Sequence, residues 1–260
     1  MGTNVFWGAS SMEHDPDNQS PSLLLVGDSW FWYPVDNLAV EIAAALSQQV
    51  LLVIGRNGAE AAEWGTKYRK EIERGFDLYA PGIGGLLVSG GGNDIAGMDN
   101  FLRLLEPDCR GATTVAQCFK AGQPDALLAM LDGAYRALIA EFRARNPAAP
   151  VFLHQYDYAW PTGKGLFGPS DWLKAPMDAA FVPEALRRPL FKELIGRLKL
   201  TQIDMSLDAT LGTVVVMDTA GTLPEDNASM WANELHPTPA GFRRITKQAV
   251  LPALRDQGIG

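Results

Sequence analysis

The sequence predicts a three-layer α/β/α sandwich of the flavodoxin-like kind, built on a central parallel sheet of about five strands. Three observations carry this. Short, mostly apolar runs recur at residues 23–26, 50–54, 83–88 (broken by Gly84 and Gly85 at its start), 151–154 and 213–217; a run that short and apolar is how a strand buried on both faces reads. Helix-patterned segments separate the runs, and a parallel strand pair needs such a crossover. Glycine and small polar residues follow the first three runs (Gly27-Asp28-Ser29, Gly55, Gly90-Gly91-Gly92), at the strand ends where an open α/β sheet binds its ligand.

The elements follow in order. Leu23-Leu24-Leu25-Val26 is the first strand, and Leu38, Ile42, Ala45 and Leu46 give residues 36–46 a helical face. The second strand, 50–54, stops at Gly55; 59–74, rich in Ala, Glu and Lys, reads as a helix. The third strand, 83–88, lies between glycines. The clearest helix is 124–145, where Leu127, Leu131, Tyr135, Leu138, Ile139 and Phe142 recur at spacings of three and four. Pro124 suits its first turn and Asn146-Pro147 stops it. A strand at 151–154, a helix at 186–200, a strand at 213–217 and a helix at 239–254 complete the pattern.

Residues 1–20, which include His14, Asp15, Asp17 and Asn18, read as a mobile N-terminal segment, and 21–260 as a single domain. Insertions near 98–123 and 156–182 interrupt it, the second carrying Trp160, Phe167 and Trp172. Segments of that length serve as lids or binding loops, or pack as surface excursions; both readings fit.

Composition narrows the function classes. A net charge of -8 over 260 residues, with no basic stripe, argues against a nucleic-acid partner. No apolar stretch reaches the length of a membrane span. The first twenty residues lack a basic region followed by a hydrophobic one, so a cytoplasmic location is expected, with an exported form left open. Cys109 and Cys118 fit either a loop-closing disulfide or two free thiols, and neither His nor a second Cys pair lies near enough to suggest a metal site. The glycines of 82–92 lack the spacing of a phosphate-binding fingerprint. No cofactor and no metal are predicted, and the oligomeric state is not legible.

Ester hydrolysis needs an activated nucleophile, a base and donors for the oxyanion. Ser29, presented at a strand end, is the candidate nucleophile. The chain has three histidines. His14 lies in the polar N-terminal stretch; His154 ends the fourth strand; His236, in Asn233-Glu234-Leu235-His236-Pro237, precedes the last helix and can point across the sheet edge. His236 and His154 are both candidate bases on these grounds.

Gly27-Asp28-Ser29, Gly91-Gly92-Asn93-Asp94 and His236-Pro237, in that order, resemble the SGNH (GDSL-type) hydrolases over residues 27–241. The resemblance implies an acyl-serine esterase with Ser29 as nucleophile and His236 as base. The oxyanion hole would come from the backbone N–H groups of Ser29 and Gly58 (Gly55 as fallback) and the side-chain amide of Asn93. It also gives Asp28 a supporting role in the nucleophile loop. One position departs: the family usually carries Asp three residues before its His, where this chain has Asn233. An amide oxygen can orient the ring but offsets less of the imidazolium charge. Asp157, after the fourth strand, is the alternative acid, and Glu234 is expected to point elsewhere.

Trp30-Phe31-Trp32-Tyr33-Pro34 follows the serine. The four aromatics, Trp30 and Trp32 foremost, together with Trp160, Trp172 and Trp231 on other loops, are candidates for an aromatic substrate cleft suited to an acyl chain or a carbohydrate; packing against the core is the competing role. The expected ligand is therefore a small-molecule, glycan or lipid ester. The rival reading is a weakly active or inactive protein of the same fold that binds lipid or carbohydrate in that cleft.

Overall fold

The computed structural model describes residues 4–15, 17 and 19–260. One parallel sheet of six strands forms its centre: β1 (Val5–Trp7), β2 (Leu23–Gly27), β3 (Leu51–Gly55), β4 (Gly85–Ser89), β5 (Val151–His154) and β6 (Val214–Met217), in the order β1-β3-β2-β4-β5-β6. Every residue of β2, β3, β4 and β5 is buried, as strands covered by helices on both faces require. The chain leaves β2 toward β3 and then crosses back to β4 on the other side. The sheet's topological switch point therefore lies at the C-terminal end of β2, immediately before Ser29.

The sheet has one strand more than the apolar runs announce, and this corrects the expectation of a mobile segment over 1–20. Val5-Phe6-Trp7 pairs in parallel with Leu51-Leu52-Val53. The helix Ala9–Glu13 follows and buries Ala9 and Met12. The unpaired outer edge of β3 needs hydrogen-bond partners, and three residues suffice to cover it. Such a short run between polar neighbours leaves almost no periodic signal. His14 ends that helix with Nδ1 2.7 Å from the Ser10 carbonyl, and Asn18 lies outside the described residues.

Other boundaries shift for local reasons. The helix expected over 59–74 is a tight turn at Ala61–Glu63 and then a helix at Arg69–Tyr79. The final helix is Pro239–Ile245, a wide turn at Thr246–Val250, and Leu251–Asp256. Pro252 accounts for the wide turn, since it lacks an N–H and its ring crowds the carbonyl four residues back.

Both insertions are packed. The first holds the helix Met98–Leu104 and closes through a bridge between Leu105 and Phe119. Within it Cys109 and Cys118 are free, buried thiols, and burial pushes the Cys109 thiol up to about 12. The second holds the helix Lys174–Ala179. Among the described residues no helix is long and apolar enough to cross a membrane.

Candidate active site

β2 must end closely packed, because a Cβ on Gly27 would lie 2.4 Å from the Ser89 carbonyl oxygen. The Asp28 carboxylate then accepts the Trp30 N–H at 3.0 Å and caps the one-turn helix Ser29–Trp32. That cap sets Ser29 at the sheet edge. On the far side, the loop before the last helix is closed by a bridge between Trp231 and Pro237. Thr238 caps the helix by accepting the Gly241 N–H, so His236 sits on a braced turn.

Ser29 Oγ lies 2.7 Å from His236 Nε2, and His236 Nδ1 lies 3.0 Å from Asn233 Oδ1. Asn233 Oδ1 also accepts the backbone N–H groups of Leu235 and His236, at 2.9 and 2.8 Å. Two backbone donors leave no doubt which end of the amide faces the ring. Facing an oxygen, His236 Nδ1 carries the proton, and Nε2 is left to accept the Ser29 hydroxyl. Burial lowers the imidazole pKa to about 3, so the ring is a neutral base at ordinary pH.

The expected oxyanion donors border the same space. Gly58 has φ +76 with nothing within 4 Å of where a side chain would begin, which leaves its backbone open to an approaching ligand. The Asn93 amide donates to the Ala59 carbonyl at 3.0 Å; this uses one of its two N–H bonds. Asp94 accepts the Ala61 and Ala62 N–H groups at 2.8 and 3.0 Å, which locks the Gly58 loop to the Asn93 turn. Ser29, Tyr33, Gly58, Asn93, Trp172 and His236 border a largely apolar cleft of roughly 210 Å³.

Several sequence-predicted residues stand elsewhere. His154 donates from Nδ1 to Ser89 Oγ at 3.0 Å, Ser89 Oγ donates to Asp28 at 3.1 Å, and His154 Nε2 has no hydrogen-bond partner among the described residues. It therefore lies behind the nucleophile loop, away from the Ser29 hydroxyl. Asp28 also accepts the Tyr156 hydroxyl at 2.5 Å, and burial raises its pKa to about 6. Asp157 is not the partner of His236 Nδ1, which meets Asn233 instead. The Asp157 oxygens accept the N–H groups of Tyr158, Gly221 and Leu223 at 2.7–2.8 Å.

The tryptophans need a further correction. Trp30 is buried among His154, Tyr156, Trp231 and Phe242, and touches only a small space beside Ser29. Trp32 packs edge-on against Trp7 of β1, and Trp160 stacks under the Arg188 guanidinium. Trp30, Trp32, Trp160 and Trp231 do not border the cleft that holds His236; Tyr33, Leu166, Trp172 and Leu235 do. Trp30, Trp32 and Trp231 meet other aromatic rings and Trp160 meets a guanidinium, a competition sequence alone does not resolve.

Glu234 was missed as a functional support. Fully buried, it accepts the N–H groups of Gly163, Leu173 and Lys174 at 2.7, 3.1 and 2.8 Å, and the Ser170 hydroxyl. This carboxylate fastens the second insertion, with its cleft residues Leu166 and Trp172, to the loop that carries His236. An acidic residue beside the candidate base was the only available signal.

No model of a known protein family and no curated protein matches the sequence. Solved structures do match. Phospholipase A1 from Streptomyces albidoflavus NA297 aligns over 92% of this chain and 100% of its own, at 16% identity and a TM-score of 0.56. The extracellular lipase from Streptomyces rimosus aligns over 92% and 100%, at 15% identity and 0.53. A carbohydrate esterase of family 3 from Talaromyces cellulolyticus aligns over 91% and 97%, at 14% identity and 0.51. The chain therefore shares its fold with these solved lipases and esterases.

Proposed function

We propose that the protein is a serine esterase that works through an acyl-Ser29 intermediate. The observation that carries this reading is the continuous line from Asn233 Oδ1 through His236 to Ser29 Oγ, at 3.0 and 2.7 Å. Ser29 Oγ attacks the ester carbonyl carbon while its proton passes to His236 Nε2. The oxygen that gains charge meets the backbone N–H groups of Ser29 and Gly58 and the Asn93 amide. The tetrahedral species collapses as its carbon–oxygen bond to the alcohol breaks, and His236 gives its proton to the departing alkoxide. Water then adds to the acyl carbon, again losing a proton to His236; the bond from that carbon to Ser29 Oγ breaks as His236 returns the proton to Oγ, and the carboxylic acid leaves.

Roles for the donors follow from chemistry. Gly58 admits the substrate closely to the backbone, and an amide such as Asn93 donates without titrating. The cleft bordered by Tyr33, Leu166, Trp172 and Leu235 is apolar, which suits an ester with an apolar portion over a highly charged one. The structural relatives act on lipids and on carbohydrates, so the fold does not select between these substrates.

Fluorophosphonate labelling followed by peptide mass spectrometry tests the reading. The expected result is a single adduct on Ser29, absent in Ser29→Ala and strongly slowed in His236→Ala. A folded protein that takes no adduct would replace this reading with the non-catalytic binding protein.

A further inference from the structure

The neutral Asn233 leaves unexplained how the imidazolium formed during attack is stabilised. The structure points to Tyr33. Its ring lies parallel to that of His236, with centroids 4.1 Å apart and planes 3° from coplanar. Tyr33 ends the helical turn that begins at Ser29, its N–H bonded to the Ser29 carbonyl at 2.6 Å. The two side chains of that turn therefore meet the same imidazole, Ser29 at the Nε2 edge and Tyr33 over the face.

The placement is well held. Pro34 restricts Tyr33 to an extended backbone, and φ -63, ψ 127 is what it adopts. Asn37 Nδ2 donates to the Tyr33 carbonyl at 3.1 Å, and Asn233 Nδ2 donates to the Tyr33 hydroxyl at 3.1 Å. One amide thus orients the imidazole through Oδ1 and the phenol through Nδ2.

Resting on the esterase reading, we propose that Tyr33 is a positioning residue whose ring face stabilises the His236 imidazolium, a task a carboxylate at position 233 would otherwise perform. The face of an aromatic ring carries negative charge density and attracts a cation, more strongly where water is excluded. It does so without adding a second buried charge, which would need its own partners. In the resting enzyme the ring contacts a neutral imidazole, so the attraction grows as the proton arrives, and interactions that strengthen toward the transition state raise kcat.

The test is a double-mutant cycle on p-nitrophenyl acetate hydrolysis, joining Tyr33→Leu with Asn233→Asp, and with Tyr33→Phe as the conservative variant. Tyr33→Leu should lower kcat about five- to thirtyfold with KM changed less than about threefold, the size of a buried cation–π contact. Tyr33→Phe should retain kcat within about threefold, because the ring remains and Asn233 Oδ1 is already held by two backbone N–H groups. In the Asn233→Asp background the Tyr33→Leu loss should shrink to under about threefold, since the carboxylate now supplies the charge. An equal loss in both backgrounds, or a Phe variant as impaired as the Leu variant, overturns the proposal while leaving the esterase reading intact. Wild-type protein that is folded yet takes no fluorophosphonate adduct removes both.

Discussion

His236 and His154 experience nearly the same physical environment and do different things. Both are buried, and burial lowers each imidazole pKa to about 3. Both have Nδ1 within 3.0 Å of a neutral oxygen, Asn233 Oδ1 for one and Ser89 Oγ for the other. Neither faces a carboxylate directly. What separates them is the other nitrogen. His236 Nε2 meets the Ser29 hydroxyl at 2.7 Å, whereas His154 Nε2 has no hydrogen-bond partner among the described residues. On the esterase reading proposed above, a depressed pKa does not mark the base; a hydroxyl within reach of a lone pair does.

The ring surroundings differ too. His236 lies parallel to Tyr33, with Trp172 at its edge. His154 has Trp30 at 4.7 Å, tilted by 41°, and Tyr156 edge-on. One imidazole borders the cleft and can be charged in passing. The other is a packing and hydrogen-bonding unit beneath Asp28.

The comparison breaks most decisively by substitution. His236→Ala should lower kcat/KM for p-nitrophenyl acetate by about 10⁴-fold, the usual consequence of removing a triad base. His154→Gln should cost less than about tenfold. Comparable losses at both positions, with both variants folded by circular dichroism, would erase the distinction.

The pH response sharpens it next. With the His236 pKa lowered to about 3, the base remains deprotonated as pH falls through 6.5, so kcat/KM should hold well below the usual imidazole limb. Asn233→Asp should move that limb upward toward neutrality, because a carboxylate favours the imidazolium. An acid limb near 6.5 in the wild-type profile would contradict the burial of the ring.

Stability isolates the contribution of His154. Between pH 6.5 and 3 the unfolded chain binds a proton at this ring and the folded protein does not. Stability then falls as pH falls, by about 1.4 kcal/mol per pH unit for each such histidine. Asp28 and Asp36, raised to about 6 mainly by burial, act in the opposite direction between about 6 and 3.8, where the folded state holds protons the unfolded chain has released. Because the histidines and aspartates oppose one another across pH 4 to 6, the readout is the difference between variants: in denaturant titrations His154→Gln should gain stability relative to wild type as pH falls, by about 1.4 kcal/mol per pH unit. A difference that does not change with pH would mean that His154 is already charged or solvated.

The smallest expected effect concerns the frame of the cleft. Glu234→Gln replaces one oxygen of a carboxylate that accepts four donors from the second insertion. It should cost about 1–3 kcal/mol and expose the 163–174 loop to limited proteolysis before the core opens. Unaltered proteolysis would show that Leu166 and Trp172 are held by packing alone.

The apolar runs by themselves determined the layers, five of the six strands and the edge at which Ser29 appears, because a strand buried on both faces has to be written as continuous Leu, Val and Ile. The same holds for Gly27 and Gly58, whose positions admit little else. Ser29, His236 and Asn233 were legible as a set only through the resemblance of their motifs to those of the SGNH hydrolases. The tertiary structure alone decided the rest. It recruited Val5–Trp7 as an edge strand, turned Trp30, Trp32, Trp160 and Trp231 toward packing, committed Asp157 to three backbone N–H groups, and stacked Tyr33 on His236. The physical reason is common to these cases. Periodicity records whether a side chain is buried, a property of its own element, whereas the ring or donor it meets is set by residues far along the chain, as Tyr33 is from His236 and Trp30 from Phe242.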